Sequence, residues 1–171
     1  PRERAFYIAS AESYSERFLD GFTPDGYCSE GLGYWNYGFG NYAVLSEFVL
    51  RATGGKLDLL ARDAARLPAQ FGRRVKILGS IYPTFSDCTV GTKPDATLTQ
   101  YLDRSSRFRS GDTWRFHGNP RRGGLMQVLA YGFAPLNAET EASAVTNDES
   151  RLRTWFEDAG VLICRPGPDA D

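Results

Sequence analysis

The stretch from Asp25 to Tyr42, DGYCSEGLGYWNYGFGNY, places the strongest constraint on how this chain folds. Its 18 residues include four tyrosines, one tryptophan, one phenylalanine and five glycines. Glycine costs about 1 kcal/mol relative to alanine in a helix interior, so an ordinary core helix avoids it. Glycines beside aromatic rings indicate that another backbone or a ligand approaches closely. Two interpretations stay open: a surface whose rings stack on a sugar, or an aromatic-rich helix packed in a core.

Apolar periodicity predicts a mainly α-helical chain. Apolar side chains at three- and four-residue steps predict a helix over residues 3–22, on a stripe that includes Tyr7 and Tyr14. A second helix is predicted from Gly31 or Leu32 to Ala52, where Gly54-Gly55 ends it. Further helices are predicted over residues 57–66, from Leu67-Pro68 through Leu78, over Thr97–Phe108 and over Leu125–Phe133. Residues 81–88, IYPTFSDC, are expected to form an extended loop or an edge strand.

The last third of the chain changes character. Residues 139–154 are rich in Ala, Glu and Thr without periodicity, which is typical of a linker. Trp155-Phe156, a turn at 157–160 and the apolar run Val161–Cys164 then predict the opening of a β domain. The expected domains are therefore a helical domain over 1–138, a linker over 139–154 and an incomplete β domain over 155–171.

Charge is segregated although the net charge is only −1. Residues 62–122 carry 12 basic and 5 acidic side chains, which suits an anionic ligand. Alternatively, Arg62, Arg66, Arg73 and Arg74 form a solvated helix face. A pI near 5.9 and the lack of a recognition motif argue against nucleic acid. No run approaches the roughly 20 apolar residues that a membrane span requires.

The three cysteines and the single histidine limit metal and disulfide chemistry. Cys28, Cys88 and Cys164 are too widely spaced to define a disulfide framework and are expected to be small buried side chains. His117 alone supplies no zinc-binding pattern, so no cofactor or metal is expected within this chain. Because the chain starts without Met or a signal peptide, we expect it to be part of a longer protein.

Three motifs carry a resemblance to a known family. They are Asp25-Gly26, Glu30-Gly31 and the helix sequence GYWNYG at 33–38, and they are joined by the closing segment WFEDAGVLICRPG at 155–167. Together they resemble the heparinase II/III-like family of polysaccharide lyases, which includes heparin, heparan sulfate and alginate lyases. The resemblance implies a partial (α/α) toroid of helical hairpins followed by the first strands of a C-terminal antiparallel β-sandwich.

The resemblance also implies a reaction and its residues. Such lyases cleave uronic-acid-containing polysaccharides by β-elimination and are usually exported to the periplasm or cell envelope. Tyr34 would be the general acid/base, with Tyr37 as the alternative. Glu30, Trp35, Asn36 and Tyr37 would contact substrate, although Glu30 also suits a helix cap. Trp35 also falls on the core stripe of the second predicted helix, the face that it shares with Leu32, Phe39 and Tyr42.

Other residues of this reaction are expected outside the chain. They are a carboxylate-neutralising Asn or His, a second catalytic His in the sandwich, and the ligands of any structural divalent metal there. His117 matches none of them and is expected to be a loop histidine. The chain alone is therefore expected to be inactive, and its oligomeric state stays open.

Two rival functions remain. A toroid glycoside hydrolase needs two carboxylic acids roughly 6.5–9.5 Å apart, for which Glu30 and Asp87 are the candidates. A non-catalytic carbohydrate-binding module needs only the aromatic residues of the stretch 25–42, on which a sugar could stack.

Basic side chains that could steer a polyanion are Arg104, Arg107, Arg109, Arg115, Arg121 and Arg122.

Overall fold

A computed structural model describes residues 2–104 and 152–167 of this chain. The described part is mainly helical and contains one small antiparallel sheet. Its elements are, in chain order, α1 (Arg2–Leu19), α2 (Gly31–Ala52), α3 (Asp63–Arg66), α4 (Phe71–Arg74), α5 (Ala96–Arg104), β1 (Arg153–Phe156) and β2 (Val161–Cys164). The mainly α expectation is confirmed at this level, and α2 has the predicted bounds.

Helix α2 is the centre of the fold, because α1, α4 and α5 all contact it. Its buried side holds Trp35, Phe39 and Tyr42, which are at most 4% exposed. The Tyr42 hydroxyl donates to the Leu59 carbonyl at 2.6 Å. Burying aromatic rings of this size supplies most of the hydrophobic stabilisation available to a small core. The aromatic-rich stretch is therefore core along one side of the helix.

Helix α1 packs on α2 through aromatic rings. The ring of Phe18 stacks on Tyr42 with centroids 5.4 Å apart, and its edge lies against Gly38. The predicted apolar stripe of α1 is wrong in two places, since Tyr7 and Tyr14 are 69% and 66% exposed. Both tyrosines lie just outside the strip of α1 that faces α2, where residues at helical spacing still look periodic.

The segment after α2 differs from the two helices predicted for it. Residues 57–66 form a single turn of 3-10 helix, Leu59–Ala61, followed by α3. Arg62 interrupts them with extended backbone, φ −68° and ψ 138°. Its guanidinium pairs with Glu12 at 2.9 Å and Glu16 at 3.2 Å, both on α1. Because these ion pairs hold Arg62 against α1, the helix predicted over residues 57–66 is interrupted at Arg62.

The next predicted helix is short as well. Helix α4 ends at Arg74, and Leu78 lies outside it, exposed and in an isolated bridge with Ile81. The following stretch is a loop, as expected for IYPTFSDC. Helix α5 confirms the predicted helix at Thr97 as far as Arg104. Residues 105–151 lie outside the described residues, and with them the predicted helix Leu125–Phe133, His117 and the arginines after Arg104.

The two strands form a hairpin that packs on the helical core. Trp155 pairs with Leu162 and Phe156 with Val161 in antiparallel register. Phe156 is fully buried, and its ring lies 5.2 Å from the ring of Tyr27. The hairpin turn is where the sequence predicts it. Strand β1 begins at Arg153, so the last two positions of the expected linker are strand; the rest of that linker lies outside the described residues.

The arginines expected on a solvated face divide into two groups. Arg66 is exposed, whereas Arg74 is partly buried and lies 4.4 Å over the Phe156 ring. Arg74 also donates to the Asp25 carbonyl. Arg165 donates to the Arg74 carbonyl at 2.7 Å and to Thr154 Oγ1 at 2.8 Å. For Arg62 and Arg74 the expectation of a solvated face is therefore wrong, because both fix one element to another.

The turn before α2 depends on Gly26, and this gives a direct test of the packing. Gly26 and Gly55 share φ +83°, but a Cβ at Gly26 would overlap the backbone of Leu67, whereas a Cβ at Gly55 would meet no atom within 4 Å. We expect Gly55→Ala to lower the free energy of unfolding by about 1–2 kcal/mol, the cost of the left-handed backbone alone. Gly26→Ala should cost roughly 2 kcal/mol more, since overpacking adds to that strain. Urea denaturation of both variants measures the difference; equal losses would contradict the described contact.

Candidate functional site

The candidate site is the exposed face of the first half of α2. Tyr34 and Tyr37 are 48% and 72% exposed, and their three-residue spacing places them side by side on the helix. Neither side chain makes a hydrogen bond or ring contact with the residues that the structure describes. Tyr27 and Tyr42, in contrast, are buried. The fold thus divides four tyrosines of one short stretch into two core residues and two that a ligand can reach.

Trp35 lies on the opposite side of the helix and fixes it in place. It is 2% exposed, its indole Nε1 donates to the Pro68 carbonyl at 2.8 Å, and its ring stacks on Phe39 at 5.9 Å. A buried indole with a satisfied N–H cannot stack on a sugar. The substrate-binding role given to Trp35 by resemblance is therefore replaced by packing, the role that its place on the core stripe favours.

Asn36 uses both ends of its amide on the chain itself. Its Nδ2 donates to the Lys93 carbonyl at 2.8 Å, and its Oδ1 accepts from the Asp95 amide at 2.7 Å. Asp95 in turn accepts from the Leu98 amide at 2.9 Å, which caps the start of α5. Asn36 therefore anchors residues 93–95 to α2 instead of presenting a free amide to substrate.

Glu30 precedes α2 but does not cap it. Its backbone has φ −84° and ψ −1°, and its carboxylate makes no capping hydrogen bond. The expected capping role is wrong because this backbone geometry is helical, whereas a capping residue is usually extended. The exposed carboxylate remains available at the positive end of the helix dipole.

The structure brings the Asp87 segment to the start of α2, which the sequence did not indicate. A Cβ at Gly31 would lie 2.5 Å from the Phe85 carbonyl oxygen and 3.1 Å from the Cys88 Cβ. The turn from Phe85 to Cys88 therefore rests against the first residue of the helix. Asp87, exposed on that turn, and Glu30 are thus at the same end of α2.

A buried carboxylate further along α2 was not singled out from the sequence. Glu47 is 7% exposed and accepts from Arg51 Nε at 2.7 Å and from the Tyr101 hydroxyl at 2.8 Å. The four-residue spacing of Glu47 and Arg51 was the available signal. This network joins α2 to α5, and a buried carboxylate needs such partners because desolvation is costly.

Comparison with known proteins, and a search for metal sites and membrane spans, identify no further functional feature in the described residues. No protein-family model, characterised protein or solved structure matches this chain. Over residues 2–104 and 152–167, no group of three His, Cys, Asp or Glu side chains is arranged to hold a metal ion. In the same residues, no helix combines the length and the apolar character needed to cross a membrane.

The turn before the site holds the groups with perturbed ionisation. Burial raises the pKa of the Cys28 thiol, and hydrogen bonds with the backbone of Glu30 and Gly31 offset part of this rise, while the Glu30 carboxylate adds to it. Burial, with the neighbouring Cys28 thiolate, also raises the pKa of the Tyr27 hydroxyl. Both groups are therefore held in their neutral forms by the fold.

These shifts predict loss of stability in alkali. In the unfolded chain Cys28 ionises near pH 8.5, whereas the folded chain keeps its proton to higher pH. The stabilising contribution is complete below the unfolded pKa and falls as the pH rises through the folded pKa. We expect the free energy of unfolding to decrease from about pH 8.5 upward, and Cys28→Ser to reduce that decrease. Urea denaturation between pH 7 and 10 measures it; the same slope in both proteins would contradict the assignment.

Thiol labelling gives a control for the same prediction. Cys28 and Cys88 are buried and Cys164 is exposed. Cys164 should react with an alkylating reagent in the folded chain, while Cys28 and Cys88 should react only after denaturation.

Proposed function

We propose that this chain carries the tyrosine-bearing part of a polysaccharide lyase that cleaves uronic-acid-containing polysaccharide by β-elimination. In this proposal α1–α5 belong to an (α/α) toroid, the β1–β2 hairpin opens an antiparallel β-sandwich, and the protein acts in the periplasm or cell envelope. The observation that carries the proposal is the exposure of Tyr34 on a helix whose other side is locked by Trp35. A general acid/base must be both accessible and fixed, because proton transfer needs hydrogen-bonding distance to the reacting atom.

The chemistry that Tyr34 would perform has two proton transfers. Its phenolate would take the C5 proton of the uronate, and the resulting phenol would give a proton to the leaving glycosidic oxygen. The C4–O bond then breaks, and the electron pair from C5 forms the C4–C5 double bond. Tyr34 is in the first turn of α2, where the partial positive charge of the helix N-terminus attracts a substrate carboxylate. Neutralising that carboxylate requires a further group supplied by the longer protein.

A non-catalytic carbohydrate-binding module is the second candidate. Tyr37 is the most exposed aromatic residue of the α2 face, and aromatic faces contribute to binding without any chemistry. Within the described part of the chain Tyr34 contacts no second catalytic group, which agrees with a module that only binds.

A toroid glycoside hydrolase is the third candidate function. It is supported by the position of Glu30 and Asp87 at the same end of α2.

The deciding experiment measures the product. The longer protein that carries this chain is incubated with alginate, heparin, heparan sulfate, chondroitin and hyaluronan, and the ultraviolet absorbance of 4,5-unsaturated uronate is followed. We expect one substrate to give that product and Tyr34→Phe to reduce the rate roughly 100- to 10,000-fold, the usual contribution of a general acid/base.

Two controls make this test specific. Tyr14→Phe removes the same hydroxyl from an exposed tyrosine of α1 and should leave the rate unchanged, while Tyr37→Phe tests the alternative base. A rate near that of the native protein in Tyr34→Phe removes Tyr34 from the mechanism. Saturated products indicate hydrolysis, and binding without any product indicates the binding module.

A further inference from the structure

One glycine of α2 is not explained by packing. Gly38 accommodates the Phe18 ring, and Gly72 of α4 accommodates the Trp35 ring, since a Cβ at these positions would lie 3.1 Å and 2.8 Å from the respective ring atoms. At Gly33, in contrast, no described atom other than the neighbouring residues and backbone of α2 itself lies within 4 Å of the Cβ position. Gly33 has ordinary helical backbone, so its conformation does not require glycine either. The result is a small open notch in the exposed face of α2.

The residues around this notch follow from helical spacing. Gly33 lies three residues before Asn36 and four before Tyr37, and both positions are its neighbours on the helix surface. Tyr37 exposes most of its ring on one side of the notch. Glu30, three residues earlier, places an exposed carboxylate at the end of the notch nearest the helix N-terminus.

Lys93 lies next to Asn36, beside the notch, because the Asn36 side chain donates to the Lys93 carbonyl. The two hydrogen bonds of Asn36 fix the backbone of residues 93–95 against α2. The Lys93 side chain is exposed and makes no ion pair with the described residues. Its flexible four-carbon stem can carry the ammonium group across Asn36 towards Gly33.

We propose that the Gly33 notch is a binding subsite for one uronic acid residue. The sugar ring stacks on Tyr37, and its edge approaches the helix backbone where Gly33 has no side chain. Its carboxylate pairs with the Lys93 ammonium, and the Glu30 carboxylate accepts hydrogen bonds from its hydroxyl groups. Asn36 acts as a positioning residue for Lys93. The choice of a uronate rests on the proposed function, whereas the notch, the ring and the cation do not.

Replacing Gly33 by alanine separates an effect on ligand binding from an effect on stability. Gly33→Ala fills the notch with a methyl group that meets no atom of the described chain, and alanine is the better helix former. We expect the thermal midpoint to stay equal or rise, while the dissociation constant for a uronate tetrasaccharide increases at least 10-fold. Ser13→Ala in the exposed part of α1 is the matched control, because it also raises helix propensity but lies outside the subsite. A merely structural role for Gly33 would not weaken binding in a more stable protein.

The proposed pairing of the Lys93 ammonium with the uronate carboxylate is tested separately. Binding of the same tetrasaccharide and of its carboxyl-reduced, neutral form is measured by calorimetry with the 171-residue chain. Lys93→Met should weaken uronate binding about 10-fold and leave the neutral form unaffected, Lys93→Arg should restore most of it, and Lys56→Met should have no effect. Asn36→Ala should resemble Lys93→Met for the uronate, since it releases the anchored backbone.

These outcomes separate the subsite from the lyase proposal. If Tyr34→Phe abolishes elimination while Gly33→Ala and Lys93→Met keep the native rate, the subsite is overturned and the lyase proposal stands. Binding that depends on both residues, in a protein that forms no unsaturated product, supports the subsite and overturns the lyase. Failure of the unaltered chain to bind the tetrasaccharide, or equal weakening of the charged and neutral forms by Lys93→Met, overturns the subsite.

Discussion

The packing of the Trp35 ring against Gly72 is the contact on which the described fold depends most. It brings α4 onto the core, where a Cβ at position 72 would lie 2.8 Å from the indole ring, and the indole N–H donates to the Pro68 carbonyl. A satisfied, fully buried indole contributes a large apolar area without leaving an orphaned polar group. The same contact sets the rotation of α2 about its axis. That rotation decides which tyrosines face outward.

Glycines of the aromatic stretch have three different physical roles. Gly26 and Gly31 have positive φ and lie against neighbouring backbone, so they shape the turn before α2. Gly38 makes room for the Phe18 ring from α1. At Gly33 the Cβ position meets no atom from the other described elements. The composition of the stretch indicated close approach in general, but only the distances around each glycine separate backbone contact, ring contact and a position available to a ligand.

Side chains that anchor one element to another recur throughout this fold. Asn36 ties α2 to the start of α5, Arg62 ties the segment after α2 to α1, and Arg165 ties the hairpin to Arg74. Each joins residues that are more than 45 positions apart in the chain. Such contacts explain why Asn36 does not present a free amide to substrate and why Arg62 and Arg74 do not form a solvated face. They also hold the exposed α2 face in a fixed place, which any site on it requires.

The sequence by itself determined the local structure where one strong signal acted alone. The bounds of α2 follow from its apolar spacing and its stop at Gly54-Gly55, and the hairpin turn follows from the change to β-favouring residues. Apolar spacing failed over residues 57–66, where Arg62 pairs with α1 and interrupts the helix, and after Arg74, where α4 ends before Leu78. The sequence did not show which aromatic residues of α2 a ligand can reach. Aromatic residues lie on several sides of this helix, and periodicity does not show which of them are covered by other elements. Apolar spacing placed Trp35 on the core side of α2, but only tertiary packing showed that Tyr34 and Tyr37 stay exposed. It alone placed Lys93 beside α2, since hydrogen bonds across 57 residues leave no local pattern.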